Sequence, residues 1–143
     1  MKTAKILLVD DEVAFANNIA KLISKRGFEV KTVYDGESAI RAMDEIDFDV
    51  VVLDLKMPGL DGLSTLKLIK TKKPEVEVII LTGHGSMESG IDGIEMGAFD
   101  FIMKPVRFDD LHEKIREAFQ RKLVQEELED KGQLTDAFMR KMD

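Results

Sequence analysis

The chain of 143 residues has no cysteine, which excludes disulfides and thiolate metal sites and points to a reducing, cytoplasmic setting. It has no run approaching the ~18 apolar residues of a membrane-spanning helix, and no apolar stretch of a secretory leader follows Met1. A membrane is therefore not an expected partner. Positive charge is in deficit: 21 Lys and Arg against 28 Asp and Glu leave a net charge of −7. A field of that sign argues against this chain holding nucleic acid directly. Internal repeats and low-complexity tracts are missing as well. What is present, 44% hydrophobic and 34% charged residues, suits one folded domain. At this length it would bury roughly two-thirds of its unfolded surface.

Apolar runs alternate with amphipathic stretches along the chain. Lys5 to Val9 is a short apolar run ending in Asp10-Asp11-Glu12. Val13 to Lys25 then spaces Val13, Ala16, Ile19, Ala20 and Ile23 as a helix, closed by Arg26-Gly27. Phe28 to Val33 reads as a second strand, and about Glu37 to Asp44 as a helix with Ala39, Ile40 and Met43 on one face. Phe48 to Leu53 is a third strand, Leu63 to Lys70 a helix that stops before Pro74, and Val76 to Leu81 a fourth strand. Met87, Ile91 and Ile94 mark a helix ending at Gly97, and Phe99 to Met103 a fifth strand. From Asp109 a long helical pattern runs on. Five strands alternating with five helices predict an α/β fold, a doubly wound parallel sheet covered on both faces.

The informative position is Asp54. It ends the run Val50-Val51-Val52-Leu53, the pattern of a buried central strand, so a carboxylate is delivered to the strand's C-terminal tip. Burial there is costly unless cations and donors surround it. In open α/β sheets, ligands gather outside the carboxyl ends of the strands. The other ends carry Asp10-Asp11, Thr82 and Lys104. Brought together, three carboxylates repel one another and raise one another's pKa unless a cation joins them. An oxygen-only ligand set suits a hard ion, Mg²⁺ above all. Lys104 offers a positive charge to an incoming anion, and Thr82 one hydrogen bond.

In their order and spacing, Val9-Asp10-Asp11-Glu12, Leu53-Asp54-Leu55-Lys56-Met57-Pro58-Gly59-Leu60-Asp61-Gly62, Leu81-Thr82-Gly83 and Gly97 to Pro105 resemble the receiver domain of two-component response regulators. The resemblance covers about residues 4–120. It implies the flavodoxin-like strand order 2-1-3-4-5, a case the general rule for such sheets names. It implies that Asp54 accepts a phosphoryl group from a sensor histidine kinase or a phosphotransfer protein. Mg²⁺ would be held by Asp10, directly or through water, by Asp11 and Asp54, and by the Lys56 backbone carbonyl. Lys104 and Thr82 would serve the transfer, Thr82 and Phe101 would form a switch pair, and Lys104-Pro105 would be a cis peptide. A domain of this kind signals and is not a turnover enzyme.

Simpler readings stand beside these. Asp10-Asp11 suits a helix N-cap with an acidic first turn, Thr82 a loop threonine, Phe101 a core aromatic, and His84 a solvated loop residue. Two other functions remain: a receiver fold kept only as a binding module, and an aspartate-nucleophile phosphatase. The phosphatase would want an acid two residues after Asp54, where this chain has Lys56. Gly90 and Gly93 stand where related receivers tend to carry alanine. Each costs about 1 kcal/mol in a helix interior, so the fourth helix is expected to be labile unless packing through Ile91 and Ile94 overrides the propensity. Residues 1–120 are expected to be the receiver and 121–143 a helical extension or linker. Leu111, Ile115, Phe119, Leu123 and Leu128 form a stripe suited to a homodimer, and Gly132 is expected to break the helix before Leu134, Phe138 and Met142. No DNA-binding or ATPase signature follows residue 120, so the chain reads as a stand-alone receiver or as part of a longer regulator.

Overall fold

The computed structural model describes residues 3–57, 59–83 and 87–141. His84 and Met142 lie outside them, as do the side chains of Leu134 and Phe138. The elements alternate strictly: β1 (Lys5–Val9), α1 (Val13–Lys25), β2 (Glu29–Val33), α2 (Gly36–Glu45), β3 (Val50–Asp54), α3 (Gly62–Lys72), β4 (Glu77–Thr82), α4 (Met87–Glu95), β5 (Asp100–Met103) and α5 (Phe108–Lys141). All pairings are parallel and the order is β2-β1-β3-β4-β5, as the resemblance implied.

Alternation along the strands builds two apolar layers. Leu7, Val9, Val51, Leu53, Val78 and Ile80 face α2 and α3. Ile6, Leu8, Val50, Val52, Ile79 and Leu81 face α1 and α5. Strands β3 and β4 are buried throughout and the edge strand β2 alternates, which is why the central strands read as unbroken apolar runs.

Strand β3 begins at Val50, two residues later than the apolar pattern predicts, because Asp49 is given over to pairing. Its carboxylate accepts from the Lys5 amide (2.8 Å) and from the Lys122 ammonium (2.6 Å). Lys122 also meets Glu126 at 2.9 Å. This buried pair fastens α5 to the N-terminal edge of the sheet, on the side away from Asp54.

Two expectations about helices are corrected. The apolar stripe of α4 faces outward: Met87, Ile91 and Ile94 are 56%, 48% and 41% exposed. The inward face is Gly90 and Gly93, so Ile91 and Ile94 cannot be what holds the helix in place. A Cβ on Gly90 would stand 2.6 Å from the Phe101 ring, and one on Gly93 would run into Ile80. The glycines let α4 approach β4 and β5. The second correction concerns Gly132, which lies inside one unbroken helix of 34 residues, in open space where a missing side chain loses no packing. The α5 stripe divides along its length: Leu111 and Ile115 are fully buried, Phe119 is partly buried against the same layer, and Leu123 and Leu128 are exposed.

Candidate functional site

Parallel pairing puts every strand's C-terminus at one edge, and there the chemistry-bearing residues meet. Asp10 follows β1 and is fully buried, and Asp54 ends β3 with 2% exposure. The Asp10 carboxylate accepts from the Glu12 amide (2.9 Å), and Asp54 accepts from the Lys56 amide (3.2 Å). The N-cap of α1 is Glu12, without a side-chain cap bond and with no acid in the first turn, so the capping role for Asp10-Asp11 is set aside. Gly62 shapes the loop after Asp54. Its amide donates to Leu55 O at 3.1 Å, and a Cβ there would collide with the Asp54–Leu55 backbone.

Lys104 leaves β5 toward this edge, its amide donating to Thr82 O at 2.7 Å. The Lys104–Pro105 bond is cis. The Lys104 ammonium stands 3.1 Å from Asp10, 3.1 Å from Glu12 and 3.6 Å from Asp54. Burial pushes the Asp54 carboxyl up to about 6, and the neighbouring Asp10 charge adds to it against the opposing Lys56 amide and Lys104. Burial works to lower the Lys104 pKa, but hydrogen bonds to Asp10 and Glu12 and the Asp54 charge outweigh it, and the net direction is upward. One lysine thus shares three carboxylates, and the site holds more negative charge than it neutralises.

Oxygens of Asp10, Glu12 and Asp54 all lie within 4.8 Å of one another, a donor set that fits a small hard cation. Glu12 belongs to the Val9-Asp10-Asp11-Glu12 motif, which by itself gives it no role. The signal was there, an acid one residue past the pair, but only the fold turns it toward Lys104. Asp11 lies outside that trio, although its charge is felt at Asp54. Thr82 is buried, and among the described residues its hydroxyl has no hydrogen-bond partner. Phe101 is half-buried against the core with its ring on Gly90. The fold therefore brings together Asp10, Asp54, Thr82 and Lys104, with Phe101 two strand positions behind Thr82 in register.

A family model described as the response regulator receiver domain matches residues 6–116. The chain belongs to the response regulator receiver family. Receiver domains bind Mg²⁺ at an acidic pocket and receive phosphoryl groups from histidine kinases. Among similar proteins, the transcriptional regulatory protein ZraR of Escherichia coli K12 is 34% identical over 113 residues, 79% of this chain and 26% of that protein. A putative NtrX-like response regulator of Rickettsia felis is 34% identical over 139 residues, 95% of this chain and 29% of that protein. This receiver thus spans between a quarter and a third of those relatives. The crystal structure of the NtrX receiver domain from Brucella abortus matches with a TM-score of 0.78 at 38% identity, covering 80% of this chain and 98% of that one. A response regulator receiver domain protein from Clostridium thermocellum matches at 0.82 and 40%, covering 85% and 98%. No helix among the described residues is long and apolar enough to cross a membrane.

Proposed function

We propose that Asp54 is the phosphoacceptor of this receiver. The observation that carries the reading is the buried Asp54 carboxylate facing Lys104 across 3.6 Å, beside Asp10 and Glu12. An Asp54 oxygen attacks the phosphorus of a kinase's or phosphotransfer protein's phosphohistidine. The P–N bond breaks, its electron pair leaves with the imidazole nitrogen, and Asp54 keeps the phosphoryl group as an acyl phosphate. Asp10 and Asp54 would hold Mg²⁺, with Glu12 or Asp11 and the Lys56 carbonyl completing the set. When bound, the ion neutralises charge on the transferring group. Lys104 takes a share of the same charge, which is where such transfers gain most of their rate. The unpartnered Thr82 hydroxyl has a phosphoryl oxygen to donate to once Asp54 is modified, and Phe101 moves behind it as the second member of the switch. The domain accepts and loses one group and does not turn over substrate.

The reading of residues 1–120 as receiver and 121–143 as extension is supported by α5, whose last buried residues are Ala118 and Lys122 and which continues from there to Lys141. Exposed Val124, Leu128 and Met139 on that extension suit pairing with a second copy in a short coiled coil. A cytoplasmic site of action follows from the kinase that would supply the phosphoryl group. The test is incubation with Mg²⁺ and acetyl phosphate followed by intact-mass measurement. One phosphoryl group is expected on the wild type and none on Asp54→Ala. No gain on the wild type, from acetyl phosphate or from a phosphorylated kinase, leaves the fold as a binding module.

A further inference from the structure

The Lys104 ammonium has two kinds of neighbour. Three carboxylates share it: Asp10 and Glu12 at 3.1 Å each, and Asp54 at 3.6 Å. The fourth neighbour carries no charge. It is the ring of Phe15, whose centroid lies 4.7 Å from the ammonium nitrogen. Phe15 stands in the first turn of α1, just past the Asp10–Glu12 loop, and packs against the apolar layer under α1 and α5. An ammonium is drawn to an aromatic face more strongly as water is removed, and the Lys104 side chain is only 18% exposed.

The two kinds of neighbour respond differently to a metal ion. The carboxylates that would take up a divalent cation are the same ones that share the lysine charge, so the ion would weaken their hold on the ammonium. An aromatic face offers nothing to a hard, oxygen-seeking ion, and this one is fixed by its packing. We propose that Phe15 is a positioning residue for phosphoryl transfer, its ring holding the Lys104 ammonium at the mouth of the site while the N–H groups stay free for phosphoryl oxygens. A cation–π contact occupies no directional acceptor, so it steadies the charge without competing for those protons. An aliphatic side chain would fill the same apolar space and leave the ammonium to Glu12, whose side chain is 63% exposed. The role rests on Asp54 being the phosphoacceptor; the contact itself does not.

The experiment therefore reads both, on the full chain, with Phe15→Leu, Phe15→Tyr and Lys104→Ala. By NMR, the Lys104 Cε protons are expected upfield of their ordinary position in the wild type and in Phe15→Tyr. They are expected to stay there when Mg²⁺ and beryllofluoride are added, and to return to the ordinary position in Phe15→Leu. Phosphorylation by acetyl phosphate is expected to be about tenfold slower in Phe15→Leu and near the wild-type rate in Phe15→Tyr. In a Lys104→Ala background, Phe15→Leu should cause no further slowing. Lys104 protons at their ordinary position in the wild type would overturn the proposal. Equal slowing by Phe15→Leu with and without Lys104 would overturn it too, since that marks a merely structural role. An upfield shift in a wild type that takes up no phosphoryl group would refute the phosphoacceptor reading, and the transfer role with it, while leaving the contact intact.

Discussion

At the scale of single residues, the site is a contest over charge. Burial and the Asp10 charge raise Asp54 to about 6 from an ordinary 3.8, so in this range the folded protein binds more protons than the unfolded chain. The sign follows: as pH rises from about 4 to about 6, stability falls, and above that the whole penalty is present. Asp54→Asn should therefore stabilise the metal-free protein at pH 7, by on the order of 2 kcal/mol, and the advantage should vanish near pH 4. Denaturant unfolding in a chelator at both pH values measures it; an Asn variant less stable than wild type at pH 7 contradicts the assignment. The buried Asp49–Lys122 pair works the other way. Removing one partner strands a charge in the interior, so Lys122→Met should cost about 3 kcal/mol. Adding Asp49→Asn should return part of that loss. Chemical denaturation of the two variants would show whether the pair couples as the 2.6 Å contact demands.

At the scale of elements, α4 separates what propensity says from what packing says. Propensity alone makes Gly90→Ala and Gly93→Ala stabilising by about 1 kcal/mol each. The Phe101 ring occupies the space a methyl on Gly90 would need, so Gly90→Ala should instead destabilise the fold by about 1–3 kcal/mol; at Gly93 only the terminal methyl of Ile80 stands in the way, so Gly93→Ala should cost less than Gly90→Ala. Gly132 in α5 is the control: it faces open space, and Gly132→Ala should raise helix content at no cost to the domain. Thermal melts and far-ultraviolet circular dichroism separate the three. The central strands and α4 differ in how legible they were in the sequence. Val50–Asp54 and Glu77–Thr82 were readable because a strand buried on both faces has an unbroken apolar run. The inward face of α4 was not, because a glycine face carries no hydrophobic signal and the outward Met87, Ile91 and Ile94 supply a misleading one. Likewise, nothing in Phe15 itself tells a core aromatic from a platform for an ammonium 89 positions away; only the sheet order brings the two together.

At the scale of the molecule, five parallel strands gather residues from Asp10 to Lys104 at one edge, and that edge carries surplus negative charge. A ligand that binds only the folded state stabilises it, by about 2.7 kcal/mol at a hundredfold excess over its dissociation constant. Mg²⁺ should accordingly raise the melting temperature, and Asp10→Ala and Asp54→Ala should each abolish most of that gain. The residues that make up the site were legible because they sit in short motifs at strand ends. The role of Glu12 was not, since it depends on where the first turn of α1 points. The decisive observation is where a phosphoryl group goes. After reaction with acetyl phosphate and Mg²⁺, borohydride reduction and peptide mapping should find one modified residue, Asp54, and the phosphoryl group should be released by hydroxylamine as an acyl phosphate is. Modification at any other residue, or steady phosphate release from unrelated phosphomonoesters, would contradict Asp54 as the phosphoacceptor.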